Sequence, residues 1–323
     1  MRSGMSQTAR LLPLLLAGAA ALLPLMGVRA QAPPARARPF RVAGYLPTYR
    51  ADRFDEAAAR QLTDLILFSA APSATGELDL ARVKSLPWER LRAFKTREHV
   101  RLLLCVGGWG HSDGFAAVAA SPEMRRSFAQ SAVRACREQG LDGLDLDWEH
   151  PKDTAEQSGY GALLTELRKA FRPHGLQLSV TMAAWQKLPA AGFQAADWVQ
   201  VMAYDHPGRH STSEAAQADV TSLTARGVPA EKIILGLPFY GRHTDRRAET
   251  LTYREIVTRY QPRPEVDEVE GLYFNGPATI RAKTEYALRS RLGGVMVWEL
   301  GQDAPGEQSL LRPIHESLDR RAE

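Results

Sequence analysis

The sequence predicts an α/β protein, a (β/α)8 TIM barrel, and two observations support this fold class. Short apolar runs alternate with amphipathic stretches along the chain, which is typical of parallel sheets crossed by helices. Several runs are almost wholly apolar, as expected for strands covered by helices outside and by packed side chains inside. The eight predicted strands are Arg41–Tyr45, Asp64–Ser69, Val100–Val106, Gly143–Glu149, Gln177–Ala183, Trp198–Ala203, Lys232–Leu237 and Gly294–Trp298.

Helical periodicity appears between these strands. Met124–Gln139 places Phe128 and Ala132 on one stripe and ends before Gly140, and Ser121-Pro122 precedes it as a helix start. The other predicted helices are Tyr160–Phe171, Ala215–Arg226, Ile280–Arg291 and Ser309–Arg320.

The segment between Leu237 and Gly294 is longer than one helix and two loops require. It contains a predicted short helix at Arg246–Gln261, followed by a small strand and turn at Leu272–Gly276. We interpret it as an elaborated loop between strands seven and eight and not as a second domain.

The first residues resemble an export signal. Arg2 and Arg10 precede the apolar run Leu11–Met26, and a cleavage site follows Ala30. A membrane anchor is the alternative, but prolines and glycines interrupt the run. We therefore predict a signal peptide at 1–30, a Pro/Ala/Arg-rich spacer at 31–39 and the barrel at 40–323, and a secreted or periplasmic location.

Charge and cysteine content exclude several classes of protein. Without the leader, 38 Lys and Arg face 37 Asp and Glu, so no basic surface for nucleic acid or an anionic membrane is predicted. Cys105 and Cys136 lie in apolar contexts and are predicted to be buried free thiols, although a single disulfide stays open. We expect a monomer without a cofactor.

One stretch concentrates the chemistry. From Leu144 to Glu149 the residues alternate, and side chains of a strand point to opposite faces in turn. One face carries Leu144, Leu146 and Trp148, and the other carries Asp145, Asp147 and Glu149. Such close carboxylates cannot all ionise easily, so the pKa of at least one should be raised. A row that costs stability usually marks a functional site.

In a barrel of this kind, function gathers at the carboxyl ends of the strands. At the carboxyl ends of the predicted strands, the sequence places carboxylates among Tyr and Trp residues. This combination suits a groove that binds a sugar polymer. The residues at these ends are Gly44-Tyr45, Gly107-Gly108-Trp109, Asp147, Glu149, Met182, Trp185, Met202, Tyr204-Asp205, Tyr240, Arg242 and Trp298-Glu299.

The stretch Asp142–Pro151 resembles the signature of glycoside hydrolase family 18, the chitinases and their relatives, and its Trp148 is typical of chitinases. Four further segments are similar to other strand motifs of the family, in its order and spacing: Gly107-Gly108, Met202–Asp205, Gly236–Arg242 and Gly294–Trp298. Two features depart from the family pattern. Cys105 replaces a usual serine, and the insertion after strand seven is reduced.

The resemblance implies a mechanism and its residues. Glu149 would protonate the glycosidic oxygen and later activate water, while the substrate's own 2-acetamido group attacks the anomeric carbon. Asp147 would orient the acetamido N–H, and Asp145 would share a proton with Asp147. Tyr204 would donate to the acetamido oxygen, and Trp298 would form the floor beneath the sugar. No metal takes part.

We predict further substrate contacts beside these catalytic residues. They are Tyr45, Gly108, Trp109, Met202, Asp205, Tyr240, Arg242 and Trp298. Trp185 is a weaker candidate, and Trp88 and Trp198 are predicted to be packing residues. Asp142 is expected to hold the start of its strand by hydrogen bonding.

Several alternatives stay open for the partner and the activity. A metal site is disfavoured because one strand supplies all three acids, and because His111 and His150 show no metal-ligand spacing. The expected partner is a polysaccharide or oligosaccharide that contains N-acetylglucosamine. The other possibilities are an endo-β-N-acetylglucosaminidase, a peptidoglycan-directed hydrolase and a non-catalytic lectin.

Overall fold

The computed structural model describes residues 40–322, and a closed parallel barrel lies at its centre. Each barrel strand pairs in parallel with the next, and the first also pairs with the last. The strands are β1 Arg41–Pro47, β2 Asp64–Pro72, β3 Arg101–Gly107, β4 Gly143–Asp147, β5 Gln177–Met182, β6 Trp198–Val201, β7 Ile233–Pro238 and β8 Gly294–Trp298. The predicted (β/α)8 TIM barrel is confirmed. The predicted leader and spacer lie outside the described residues.

Helices cover the outside of the barrel. They are α1 Glu56–Ala59, α2 Trp88–Glu98, α3 Phe115–Ala120, α4 Pro122–Gln139, α5 Thr154–Phe171, α6 Ala190–Ala195, α7 Ser213–Ala225, α8 Tyr253–Tyr260, α9 Pro277–Arg289 and α10 Leu311–Ala322. Six of them correspond to the predicted helices, with α5 beginning six residues earlier than its apolar stripe suggested. The sequence reasoning missed α1, α2, α3 and α6. Three of these four have only four to six residues, too few to repeat the apolar spacing of a helix over two turns.

Local capping explains where the predicted α4 begins and ends. The Ser121 side chain accepts a hydrogen bond from the Met124 N–H, and Pro122 occupies the first turn, where its missing N–H costs nothing. Gly140 ends the helix with a φ of 69°, in the left-handed region that glycine adopts easily.

The segment between β7 and β8 forms a small elaboration and not a second barrel layer. Its antiparallel sheet has the strand order Thr250–Thr252, Tyr240–His243, Leu272–Tyr273, Glu268–Val269. The predicted helix at Arg246–Gln261 was too long at its start, because Thr250–Thr252 pairs with Tyr240–His243. Thr252 then caps α8 in a capping box with Glu255. The predicted strand at Leu272 is confirmed.

Two apolar cores result from the alternation of the strands. The larger lies between the barrel and its helices, and the smaller fills the barrel itself. Cys136 belongs to the outer core and Cys105 to the inner one, so the two cysteines face opposite sides of the sheet. Both are free, buried thiols, and the disulfide that the sequence left open is not formed.

The residues predicted to serve packing do so. Trp198 is 2% exposed at the start of β6, and the Arg41 guanidinium lies 3.7 Å from its ring centroid. Trp88 donates its indole N–H to the Val83 carbonyl. The Asp142 carboxylate accepts from the Leu102 N–H at 2.8 Å, which holds the start of β4 against β3 as expected. No helix within residues 40–322 has the length and apolar character that crossing a membrane requires.

Candidate active site

Strand β4 separates its side chains as the alternation predicted. Leu144 and Leu146 belong to the outer core, whereas the Asp145 and Asp147 side chains point into the barrel and are nearly inaccessible to solvent. The Trp148 ring stacks on Phe115 at 5.3 Å on the helix side. The strand ends at Asp147, two residues earlier than predicted.

Glu149 follows the end of the strand and is held by a loop. Its backbone N–H donates to the Ser112 hydroxyl at 3.0 Å, and its side chain is 14% exposed. Burial raises the pKa of Glu149 to about 7; the Trp109 N–H that donates to the carboxylate opposes this shift, and the charge of Asp205 adds to it. The side chain therefore keeps its proton over much of the neutral range, as a general acid requires.

Asp145 lies deepest and is surrounded by hydrogen-bond donors. The Tyr45 hydroxyl donates to Oδ2 at 2.7 Å, and the Ser179 hydroxyl donates to Oδ1 at 2.6 Å. Thr181 contacts both oxygens at 3.0 and 3.1 Å, and the Gln200 amide donates to Oδ1 at 3.0 Å. These hydrogen bonds fix the position of the carboxylate and provide partners for both of its oxygens.

Asp147 occupies the middle of the row and has a different environment. Its Oδ1 is buried and has no hydrogen-bond partner among the described residues. Burial, together with the charges of Glu149 and Asp145, raises the pKa of Asp147 well above its usual range. A buried acceptor without a partner is costly, and a ligand that donates to it would remove that cost.

The turn after β3 leaves room for this row because it consists of glycine. Gly107 and Gly108 have φ values of 100° and 91°. A Cβ on Gly107 would lie 2.2 Å from the Asp147 carbonyl oxygen, and one on Gly108 would lie 2.3 Å from the Phe68 ring. Gly108, a predicted substrate contact, therefore lies beside Asp147 at the wall of the site.

Tyr204 and Met202 follow β6. Tyr204 is 9% exposed, and burial keeps the pKa of its hydroxyl well above the usual range, so the phenol stays a donor. The hydroxyl lies 3.9 Å from the Met296 sulfur, a weak acceptor. Met202 is partly buried against the inner core.

Asp205 holds two neighbouring side chains, those of Tyr240 and Arg242. The Tyr240 hydroxyl donates to its Oδ1 at 2.5 Å, and the Arg242 Nε lies 3.0 Å from the same oxygen. Burial opposes ionisation, but hydrogen bonds from His210 and Tyr240 and the charge of Arg242 lower the pKa of Asp205 overall. The structure thus brings three predicted substrate contacts, Asp205, Tyr240 and Arg242, into one cluster.

Trp298 forms the floor at the end of β8. Its ring lies 4.8 Å from Phe68 and 5.4 Å from Tyr45, and it stays partly exposed. Tyr45, predicted to contact the substrate, is only 1% exposed. The structure places it below the floor as a partner of Asp145, because β1 carries its side chain into the barrel interior.

Two indole side chains rise from the rim. Trp109 is 78% exposed and Trp185 is 68% exposed, although large apolar side chains are usually covered. The Trp185 ring lies 4.6 Å from His150, whose Nε2 is 3.5 Å from the Glu149 carboxylate. Both indoles are free to stack on a ligand that approaches Glu149.

Sequence reasoning missed the donors around Asp145. Ser179 and Thr181 alternate along β5, and Gln200 is a polar residue inside the apolar strand β6. An amide or hydroxyl at an inward position of a buried strand needs a partner, and that signal was available in the sequence. Across residues 40–322, no group of three or more His, Cys, Asp or Glu is arranged to hold a metal ion.

Comparisons with known proteins agree with this geometry. The family model described as "Glycosyl hydrolases family 18" matches residues 41–303. Chitinase 1 of Aphanocladium album is 28% identical over 287 residues, which cover 69% of this chain and 67% of that protein. The chain spans about two thirds of the length of the curated relatives that it matches first.

Solved structures show the same fold. The GH18 chitinase ChiB of Flavobacterium johnsoniae superposes with a TM-score of 0.77 at 28% identity, over 87% of this chain and 94% of that one. A chitinase-like agglutinin from Robinia pseudoacacia gives 0.74 at 23% identity, over 85% and 98%, and shares the fold alone. The family match covers all eight barrel strands and the carboxylate row, and the chain belongs to glycoside hydrolase family 18.

Proposed function

We propose that this protein is a retaining chitinase, which cleaves β-1,4 bonds between N-acetylglucosamine residues with help from the substrate's acetamido group. The carboxylate row supports this most directly. Its three members have three different environments: Asp145 is surrounded by hydrogen-bond donors, Asp147 has an oxygen without a partner, and Glu149 has a pKa raised to about 7 by burial. Several of its relatives are named as chitinases, and this similarity supports chitin as the substrate.

Glu149 acts as the general acid in the first step. It gives its proton to the glycosidic oxygen as the bond to the anomeric carbon breaks. Its side chain is 14% exposed, so a substrate can reach it. Because its pKa is about 7, the carboxyl group still carries a proton in many molecules at neutral pH. In the second step the resulting carboxylate takes a proton from water, which attacks the anomeric carbon and regenerates the acid.

The acetamido group of the substrate acts as the nucleophile. Its carbonyl oxygen attacks the anomeric carbon and forms a cyclic oxazolinium ion, so water later restores the original anomeric configuration. Asp147 accepts the acetamido N–H through the oxygen that otherwise has no partner, and it stabilises the positive charge. Tyr204 donates its hydroxyl to the acetamido oxygen and holds it in line.

The groove accommodates a sugar chain on both sides of this centre. Trp298 supplies an apolar floor for the sugar that reacts, and the exposed Trp109 and Trp185 supply faces for sugars beyond the acid. Stacking on aromatic faces suits pyranose rings because their axial C–H groups are apolar. We also propose that the protein is exported, on the grounds of the leader at 1–30.

The pH profile follows from the acid. Since Glu149 must be protonated and its pKa is about 7, kcat/KM should fall about tenfold per pH unit above that value. Initial rates on a fluorogenic chitotriose between pH 4 and pH 10 measure this limb. A rate that stays constant up to pH 9 would contradict the assignment.

The decisive experiment is cleavage of chitin oligomers by the wild type and by Glu149→Gln, with product anomers resolved by NMR. We expect fresh β-anomer from the wild type and at least a thousandfold slower cleavage by the variant. Binding without cleavage by the wild type would indicate a lectin instead. Cleavage of a high-mannose glycoprotein or of peptidoglycan, with chitin oligomers left intact, would point to the other hydrolases of this fold.

A further inference from the structure

A cavity of about 450 Å³ continues the groove beyond the Trp298 floor. It lies between the small insertion sheet, the loop after β1 and the turn after β8, and it shares Trp298, Asp205 and Tyr240 with the site described above. A sugar bound there would be covalently linked to the sugar on Trp298. The cavity is therefore part of the same binding groove, but its lining differs from that of the aromatic rim.

Three guanidinium groups line this cavity, those of Arg50, Arg242 and Arg254. Against them stand two lining carboxylates, Asp205 and Glu255, so the lining carries a formal charge of +1. A neutral sugar presents only hydroxyl groups, and binding them does not require three arginines around one cavity. Arginine is the side chain that best matches a carboxylate, with two parallel hydrogen bonds.

Both acids that line the cavity already have hydrogen-bond or ion-pair partners. Asp205 neutralises Arg242 at 3.0 Å and accepts from Tyr240. The Glu255 carboxylate accepts from the Thr252 N–H at 2.8 Å and from the Thr252 hydroxyl at 2.7 Å, which is its capping role at α8. The hydrogen bonds from Thr252, together with the charge of Arg50, lower the pKa of Glu255. Neither acid forms an ion pair with Arg254 within residues 40–322.

Arg254 has no carboxylate partner within the described part of the chain. Its Nε donates to the backbone carbonyl of Asp303 at 3.0 Å, and that contact leaves its charge uncompensated. The Asp303 side chain is committed elsewhere, because it accepts from Ser309 and from the Leu310 N–H. The backbone contact holds the Arg254 side chain in place at the cavity.

Arg50 is paired on its buried side. Its Nε lies 2.5 Å from the carboxylate of Glu299, whose side chain is fully buried, whereas the Arg50 side chain is 22% exposed. Burial raises the pKa of Glu299 to about 7, and the charge of Arg50 opposes this shift. Arg254 is therefore the guanidinium of this cavity that has no carboxylate partner among the described residues.

We propose that this cavity recognises a sugar that carries a carboxylate, so that the protein prefers acidic amino-sugar polymers to neutral ones. The inference rests on the proposed function, because the acidic sugar must be joined to the one that reacts. Two sources of the same chemistry fit: a carboxylate on O6, or a lactyl ether on O3 as in peptidoglycan glycan strands. Arg254 is the specificity-determining residue that can be changed without exposing a buried partner.

Two soluble polymers of matched size separate charge from shape. Chitin oligomers with a carboxymethyl group on O6 and oligomers with a hydroxyethyl group on O6 carry ethers of the same length, and only the first is charged. We expect the wild type to favour the carboxymethyl oligomers about tenfold in kcat/KM at low salt, and to lose this preference as salt increases. Arg254→Gln should reduce the preference about fivefold or more. Arg259→Gln, an exposed arginine on the same helix, should leave it unchanged.

Binding provides a readout that does not depend on turnover. Calorimetry of both oligomers on Glu149→Gln should show the same preference and the same loss when Arg254→Gln is added. Peptide-free peptidoglycan strands test the O3 position, and weaker binding to the Arg254→Gln variant there would also support the site. Equal affinities for charged and neutral oligomers, with no effect of Arg254→Gln on any of the three ligands, would overturn the inference. Cleavage of the hydroxyethyl oligomers would leave the proposed function standing in that case.

Discussion

The two ends of the carboxylate row show how far environment separates residues of the same chemistry. Asp145 is fully buried, yet four donor side chains from three other strands surround it. Glu149 is more exposed and has one side-chain donor nearby, His150, whose Nε2 lies 3.5 Å from its carboxylate. Burial raises the pKa of Glu149, and the Trp109 N–H opposes only part of that effect. Four side-chain hydrogen bonds therefore fix the acid at one end of the row, whereas desolvation dominates at the other.

The difference teaches that neighbouring acids on one strand can have unlike surroundings. Asp147 lies between the two ends, and burial, together with the charges of Glu149 and Asp145, raises its pKa. A proton shared over such a row belongs to the group and not to one residue. The following predictions test this division.

The largest expected effect is on turnover. Glu149→Gln should lower kcat at least a thousandfold while the KM for chitotetraose changes less than fivefold, since the amide keeps the shape but cannot give a proton. Stopped assays with long incubation measure the residual rate. Glu138→Gln, an exposed position on α4, is the matched control and should keep full activity. A variant at position 149 with a tenth of the wild-type rate would be incompatible with this role.

The same exchange of carboxylate for amide should change stability in opposite directions at the two ends. Unfolded Glu149 ionises near 4.5 and folded Glu149 near 7, so its cost to stability appears as pH rises between these values. At pH 8, Glu149→Gln should therefore stabilise the fold by about 3 kcal/mol, with no gain at pH 4. Asp145→Asn should destabilise it by about 3 kcal/mol, because its new N–H groups would face donors. Thermal unfolding at both pH values measures this, and shifts of the same sign at pH 8 would contradict the comparison.

A matched pair at Thr181 tests the hydrogen bonds around Asp145. Thr181→Val removes a hydroxyl that contacts both Asp145 oxygens, the Tyr45 hydroxyl and the Gln200 amide without changing the shape of the side chain, whereas Thr181→Ser keeps it. Because this hydroxyl helps to fix the Asp145 carboxylate, Thr181→Val should lower kcat about tenfold. Thr181→Ser should keep kcat within about threefold of the wild type. A larger loss in Thr181→Ser than in Thr181→Val would indicate a packing role only.

The smallest effect is expected at Cys105. Its thiol is fully buried in the barrel beside Asp145, and burial raises its pKa well above the usual range. Cys105→Ser replaces a weak donor with a stronger one of nearly the same size, and should change kcat/KM less than threefold. Cys105→Val, which removes the donor, should lower kcat, but less than Thr181→Val does. A tenfold loss in Cys105→Ser would show that the site depends on the thiol.

Local pattern was enough to predict the barrel and its acids. Eight apolar runs and the helices between them depend on residues close in the chain, and all eight strands form within three residues of their predicted ends. The alternation from Leu144 to Asp147 has a period of two, which settles the face of each side chain before any contact is made. Helices such as α3 and α6 were missed because six residues are too few to repeat the helical pattern over two turns.

Tertiary structure alone decided how these residues divide the work. Nothing near Tyr45 in the sequence indicates that it lies below the Trp298 floor and donates to Asp145, 100 residues away. The pKa of Glu149 and the arginines that line the cavity depend likewise on strands that meet only when the barrel closes. Sequence alternation determines which way a side chain points, whereas charge and proton affinity depend on what stands opposite it. The groups that face a side chain inside the barrel come from distant parts of the chain, because the inner faces of all eight strands meet there.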